Sequence, residues 1–193
     1  MSNIIKESVK GIALVPVEDE LLNSRCIFLT EEVNAETTNN ILKQLMYLEH
    51  CDSDEEITLY INSPGGDVVS GLAIYDYISI MEKTVNTVCT GIAASMGAIL
   101  FLAGQKRSML PHTRLMIHDP SFGCGNFSGK KSHEIQRNLD KLNESRETLA
   151  KIIAEKTGKT LDEIYAVTAD DTYYNADEAI EFGLATHIYT KTK

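Results

Sequence analysis

The chain has 193 residues, of which 43% are hydrophobic, and a formal net charge of −10 at pH 7. This length fits one domain, residues 1–193, that buries roughly 70% of its unfolded surface. The acidic balance argues against nucleic acid as a partner, because phosphate binding needs clustered lysine and arginine. No apolar run is long enough to span a bilayer, and residues 1–15 show no signal peptide. We therefore expect a cytoplasmic protein with no membrane partner. The four cysteines form no C-x-x-C pair, so their spacing indicates no metal site.

Strand and helix patterns alternate along the chain. Strands are predicted at 27–29, 57–61, 85–90, 114–117 and 184–189; helices are predicted after Asn34 and after Gly66, at 95–103 and 132–156, and from capping boxes at 160–163 and 175–178. This alternation, with short turns, predicts an α/β domain with a largely parallel sheet and flanking helices. In such sheets, catalytic groups collect at the carboxyl ends of the strands.

Ser95 lies where the predicted strand 85–90 and Gly91 lead into a small-residue, apolar helix. A hydroxyl at a helix start could attack a carbonyl while the amide of Met96 stabilises the oxyanion. A serine before an apolar run is more often a simple helix N-cap. From this segment alone, both interpretations stay open.

His118 and Asp171 are the candidate partners of such a serine. His118 follows the predicted strand 114–117, where a neutral imidazole could act as a general base, although a lone histidine there is more often structural. A carboxylate is needed to hold the imidazole tautomer. Asp171 could do so, but Asp170 is adjacent and spacing alone does not separate the two. The aromatic neighbours Tyr173 and Tyr174 would let the Asp171 carboxylate be partly buried.

The turn at 62–66 reads Asn-Ser-Pro-Gly-Gly and precedes a helix. Phosphate binding is one interpretation, but the P-loop and Walker lysine spacings are absent. The other is an oxyanion donor at Gly66 beside an open strand edge at 67–70, with a facing edge at 120–125. Such edges would bind an extended peptide by strand addition. The residues expected to bind substrate are Asp67, Val68, Val69, Ser121, Phe122 and Gly123.

Together and in order, these motifs resemble the proteolytic subunits of Clp proteases. The matching segments are 59–66, 71 with 73–76, 91–97, 110–111 leading into 116–120, 157–158, 171, and 179 with 183–184, so the similarity spans about residues 25–188. The resemblance implies that Ser95 is the nucleophile, His118 the base and Asp171 the acid. It also implies that the backbone amides of Gly66 and Met96 form the oxyanion hole.

The same resemblance implies a crotonase-like α/β fold with a protruding handle helix, the handle region covering about residues 119–157. It implies stacked seven-membered rings, a tetradecamer, enclosing a chamber in which unfolded proteins are cleaved. An ATP-driven AAA+ unfoldase would feed the chamber, while the peptidase itself uses no ATP, metal or other cofactor. The implied activity is that of an ATP-dependent serine endopeptidase.

Four segments depart from the family pattern. They are residues 16–20, Asp119 where the family commonly has glutamine, the handle segment 123–133, and Asp170 where the family commonly has an arginine that bridges rings. These departures keep a second hypothesis open, a regulatory or structural ring subunit that is active only with a paralogous subunit. A third hypothesis, an acyl-CoA hydratase-type enzyme on the related fold, gives Ser95 and His118 no joint role.

Overall fold

The computed structural model describes residues 2–8, 11–122 and 129–190. In chain order the elements are β1 (Asn3–Ser8), β2 (Gly11–Pro16), α1 (Val17–Asn23), β3 (Cys26–Leu29), α2 (Ala35–Glu49), β4 (Ile57–Ser63), α3 (Val68–Ile80), β5 (Val85–Ala94), α4 (Met96–Leu102), β6 (Arg107–Met109), β7 (Arg114–Ile117), α5 (Ser132–Thr157), α6 (Leu161–Thr168), β8 (Thr172–Tyr174), α7 (Ala176–Phe182) and β9 (His187–Ile188). Within these ranges, no helix is both long enough and apolar enough to cross a membrane.

Seven of the described strands form one sheet, which is parallel except at one pairing. β3, β4, β5, β6 and β9 lie side by side in that order, and each pair is parallel. β7 pairs in parallel with β5, and β8 pairs antiparallel with β7. The predicted α/β fold with a largely parallel sheet is therefore confirmed.

β5 changes neighbour along its length. Residues 87–89 pair with β6, whereas residues 92–94 pair with β7. The predicted strand 85–90 was too short, because Gly91 does not end it. A Cβ atom at Gly91 would lie 2.2 Å from the Asn62 Oδ1, which accepts a hydrogen bond from the Ile92 N–H at 3.0 Å. The glycine thus lets β4 and β5 approach closely while the strand continues to Ala94.

The helices bury apolar faces against this sheet to different extents. All seven residues of α4 are buried, as expected for a short apolar helix packed on β5. The 26-residue helix α5 buries only Leu149, Ala150 and Ile153, all in its C-terminal half. Its N-terminal half therefore contributes no buried residue to the core. This agrees with the protruding handle helix that the family resemblance implies.

Several elements were not predicted from the sequence. Among their described side chains, the β1–β2 hairpin and α1 have none that is buried, so no apolar periodicity marks them: Ile5, Ile12 and Leu14 are about 70% exposed. β6 and β8 have three residues each, too few for a periodic pattern. The predicted last strand 184–189 was too long, since β9 comprises only residues 187 and 188.

Candidate active site

The register of the sheet brings Ser95, His118 and Asp171 together. The last residue of β5 lies opposite Met116 in β7, and Thr172 in β8 lies opposite the last residue of β7. Ser95 and His118 therefore follow the ends of two paired strands. Continuing the antiparallel register by one position places Asp171 opposite His118.

The three side chains form an unbroken line of polar contacts. The Ser95 Oγ lies 2.9 Å from the His118 Nε2, and the His118 Nδ1 lies 3.1 Å from the Asp171 Oδ1. A carboxylate at Nδ1 favours the tautomer with its proton there, which leaves Nε2 free to accept a proton. The imidazole is 24% exposed. In this arrangement the histidine can deprotonate the serine hydroxyl.

Ser95 has a backbone conformation that non-glycine residues rarely adopt, with φ 53° and ψ −122°. Its N–H donates to the Met116 carbonyl at 2.9 Å, which ties this turn to β7. Ser95 occupies the N-cap position of α4, yet its side chain makes no capping hydrogen bond. The capping interpretation of the hydroxyl is therefore wrong, because the Oγ is turned toward His118 instead.

The glycine turn after β4 lies against this strained turn. A Cβ atom on Gly65 would lie 2.6 Å from the Ser95 Cβ and 2.9 Å from the Met96 nitrogen. Gly66 has φ 146°, and a Cβ there would lie 2.2 Å from the Val33 carbonyl oxygen. The backbone at Gly66 can follow this path only because both residues lack a side chain.

Neither expected oxyanion donor, the N–H of Gly66 or of Met96, has an acceptor among the residues that the structure describes. The flanking segment is fixed, since Val33 accepts from the Asp67 N–H at 2.8 Å and donates to the Gly65 carbonyl at 2.7 Å. Two amides close to the Ser95 turn are thus available to an oxygen from outside the chain.

The Asp171 carboxylate lies at the edge of the site and is largely exposed. Its side chain is 60% exposed, so the two tyrosines that follow cover only part of it. Tyr174 turns into the core at 8% exposure, whereas Tyr173 faces outward at 55%. Asp171 directly precedes β8, an edge strand whose only partner in the described sheet is β7. The side of the carboxylate that faces away from β7 is therefore in solvent.

A cleft of about 700 Å³ opens beside Ser95 and His118. Its walls include Asp67, Val68, Val69, Ser121 and Phe122, which are five of the six residues expected to bind substrate. The sixth, Gly123, lies outside the described residues. The lining also includes the buried, apolar side chains of Ile99, Ile117 and Ile153.

The proposed strand edge at 67–70 is absent. The chain enters helix α3 at Val68, and the Asp67 carboxylate caps that helix by accepting the Ser70 N–H at 2.8 Å. The backbone at 68–70 is therefore committed to a helix rather than to a strand edge. Residues 120–122 have no regular secondary structure, and the rest of the expected facing edge lies outside the described residues.

The sequence did not identify the contribution of α5 to this cleft. Four residues of α5 line the cleft: Asn138, Lys141, Leu142 and Ser145. Their spacing of three and four residues places them on one helix face, which was the available signal. In the described ranges, no group of three or more His, Cys, Asp or Glu side chains could hold a metal ion.

One comparison with known proteins bears on this site. The family model described as Clp protease matches residues 10–192. That match covers nearly the whole chain, including the turn at Gly66 and the residues Ser95, His118 and Asp171. The chain therefore belongs to the Clp protease family.

Proposed function

We propose that the chain is the proteolytic subunit of an ATP-dependent Clp protease and acts as a serine endopeptidase. The observation that carries this proposal is the continuous contact from the Ser95 hydroxyl through the His118 imidazole to the Asp171 carboxylate. Contacts of this kind between a hydroxyl, an imidazole and a carboxylate support acyl transfer by a serine nucleophile. The family match supports peptidase chemistry at this site.

In the proposed reaction the Ser95 Oγ attacks the peptide carbonyl carbon while His118 Nε2 takes the hydroxyl proton. The carbonyl oxygen becomes an oxyanion, which the N–H groups of Gly66 and Met96 stabilise; each such donor is worth about 3 kcal/mol. Asp171 stabilises the imidazolium. His118 then gives its proton to the leaving amine, and water, deprotonated by His118, hydrolyses the acyl-enzyme and frees Ser95.

The cleft indicates the class of substrate. Because buried apolar side chains line it beside polar groups of α5, it would accept an apolar side chain next to the scissile bond. Family membership supports unfolded polypeptide as substrate, an AAA+ unfoldase as partner and stacked heptameric rings. These partners, the tetradecamer and the cytoplasmic location remain predictions.

Labelling with a fluorophosphonate tests the nucleophile. We expect the purified chain to be labelled and to hydrolyse peptides, and Ser95→Ala to abolish both. Ser132→Ala is the matched control, since Ser132 also begins a helix and is exposed, and it should label like the parent. Labelling that survives Ser95→Ala would exclude Ser95 as the nucleophile. Light scattering on the same samples gives the oligomeric state.

The alternative of a ring subunit that needs a paralogue for activity has less support. All three side chains are already in contact within one chain, so no second subunit is needed to bring them together. If the pure protein resists labelling in every oligomeric state but becomes labelled when mixed with a paralogous subunit, that alternative would replace the first proposal.

A further inference from the structure

We propose that Asp119 is a positioning residue that holds the base His118, the acid Asp171 and helix α5 in one arrangement. The inference rests on the function proposed above. Asp119 follows His118 directly, and both of its carboxylate oxygens, as well as its backbone N–H, are engaged with other elements.

The contacts of Asp119 are short and converge from two helices. The Oδ2 accepts a hydrogen bond from the Arg146 Nε at 2.6 Å, and the Oδ1 accepts one from the Thr168 Oγ1 at 2.7 Å. The Asp119 N–H donates to the Thr168 carbonyl at 2.6 Å. Charge-assisted hydrogen bonds of this kind are about twice as strong as neutral ones.

The partners of Asp119 belong to the segments that carry the rest of the site. Thr168 is the last residue of α6 and lies three positions before Asp171. Arg146 lies on α5, next to Ser145, which lines the cleft. The Asp119 carboxylate therefore joins the segment that carries His118 to α6, which leads to Asp171, and to α5, which lines the cleft.

Arg146 is itself held in place by packing. Its guanidinium carbon lies 4.4 Å from the centroid of the Tyr165 ring on α6, so the arginine joins α5 to α6 as well as to Asp119. The side chains of Arg146 and Asp119 are 39% and 27% exposed. The Lys151–Glu147 pair on the same helix is far more open, at 60% and 58%. The Asp119 pair is therefore the less screened of the two.

Loosening this junction would let the imidazole move relative to Ser95 and Asp171. A misplacement of about 1 Å in a catalytic group can cost about 100-fold in rate. The loss should appear in the chemical step, because Asp119 is held by Arg146 and Thr168 rather than by a bound peptide. We therefore expect kcat to fall while KM changes little.

The test measures kcat and KM for peptide hydrolysis, and the rate of fluorophosphonate inactivation, in Asp119→Asn, Arg146→Gln and Arg146→Lys. Asp119→Asn keeps an acceptor for Thr168 but loses the charge. We expect kcat to fall about 10- to 100-fold in Asp119→Asn and Arg146→Gln, KM to stay within about twofold, and Arg146→Lys to recover part of the loss. Glu147→Gln removes a neighbouring ion pair of α5 and serves as the control, with kcat unchanged.

Thermal unfolding of each variant shows whether it is folded; should Asp119→Asn fail to fold, the two Arg146 variants carry the test. An active parent whose variants keep kcat within twofold would overturn the positioning role. An equal loss of kcat in Glu147→Gln would also overturn it, because the effect would then belong to α5 in general. A parent chain that neither hydrolyses peptide nor reacts with the fluorophosphonate would instead overturn the proposed function, and this inference with it.

Discussion

Gly65 and Ser95 are packed so closely that no side chain fits between them. A Cβ atom on Gly65 would lie 2.6 Å from the Ser95 Cβ, and the backbone of Gly65 has φ +96°. The backbone of the turn after β4 therefore packs directly against the strained turn at Ser95. Its glycines are required by contact with the site, and not only by the turn itself.

Gly65→Ala should therefore damage both stability and reactivity. The new methyl group collides with the backbone, and the positive φ adds strain, so we expect a loss of about 3 kcal/mol in the free energy of unfolding and a lower rate of fluorophosphonate labelling. Urea unfolding and labelling kinetics measure the two effects. Gly158→Ala is the control, since Gly158 has φ +72° but open space around its Cβ position. It should lose about 1 kcal/mol and keep its labelling rate; equal effects in both variants would contradict the prediction.

The strain at Ser95 predicts that glycine is a more stable replacement than alanine at this position. With φ 53° and ψ −122°, residue 95 suits glycine better than any residue with a Cβ. We expect Ser95→Gly to be about 1 kcal/mol more stable than Ser95→Ala in urea unfolding, while both are unreactive. The comparison between two inactive variants removes the contribution of the hydroxyl. If the alanine variant proved equally stable, residue 95 would not be strained.

The parts of the fold that follow from local pattern could be predicted from the sequence. Helix α2 was predicted from its apolar spacing after Asn34, and its capping box with Thr37 is present. The buried helix α4 was likewise predicted from its composition. In both cases the information lies within about fifteen consecutive residues.

The geometry of the site depends on pairings that no local pattern contains. Asp171 reaches His118 because β8, only three residues long, pairs with β7. The Asp119–Arg146 contact joins residues 27 positions apart. Resemblance to the family identified the catalytic candidates, but the role of α5 in the cleft and the contacts of Asp119 required the folded chain.

Arg107 provides a test of how the end of α5 is held near the core. Its guanidinium donates to the carbonyls of Leu184, Gly183 and Lys156 at 2.8, 3.1 and 3.3 Å, at the C-terminal ends of α7 and α5. Arg107→Met would leave these carbonyls without their cationic donor. We expect a loss of about 3 kcal/mol in the free energy of unfolding, measured in urea.

The neighbouring cation supplies the control for that measurement. Lys106 pairs with Glu56 at 3.1 Å, and the two side chains are 60% and 49% exposed. Lys106→Met should change the free energy of unfolding by less than about 1 kcal/mol, because solvent screens the pair. If both substitutions had the same cost, the contacts of Arg107 with the helix ends would contribute no more than a surface ion pair.

The capping box of α6, the helix that leads to Asp171, predicts a dependence of stability on pH. Hydrogen bonds from the Thr160 backbone and hydroxyl hold the pKa of the Glu163 carboxyl below its usual value of 4.5. A pKa lower in the folded than in the unfolded state means that the carboxylate stabilises the fold above pH of about 4.5. This contribution is lost as the pH falls through the folded pKa. We therefore expect the difference in Tm between the parent and Glu163→Gln to be largest near pH 7 and to shrink on acidification.

Thr160→Ala provides the matched background for this measurement, because it removes the hydroxyl donor and leaves the backbone donor. In that background the pH dependence of the Glu163→Gln difference should be weaker, since one of the two hydrogen bonds that lower the pKa is gone. A Tm difference that stays constant between pH 7 and 3, or grows as the pH falls, would show that Glu163 does not stabilise α6 through its charge.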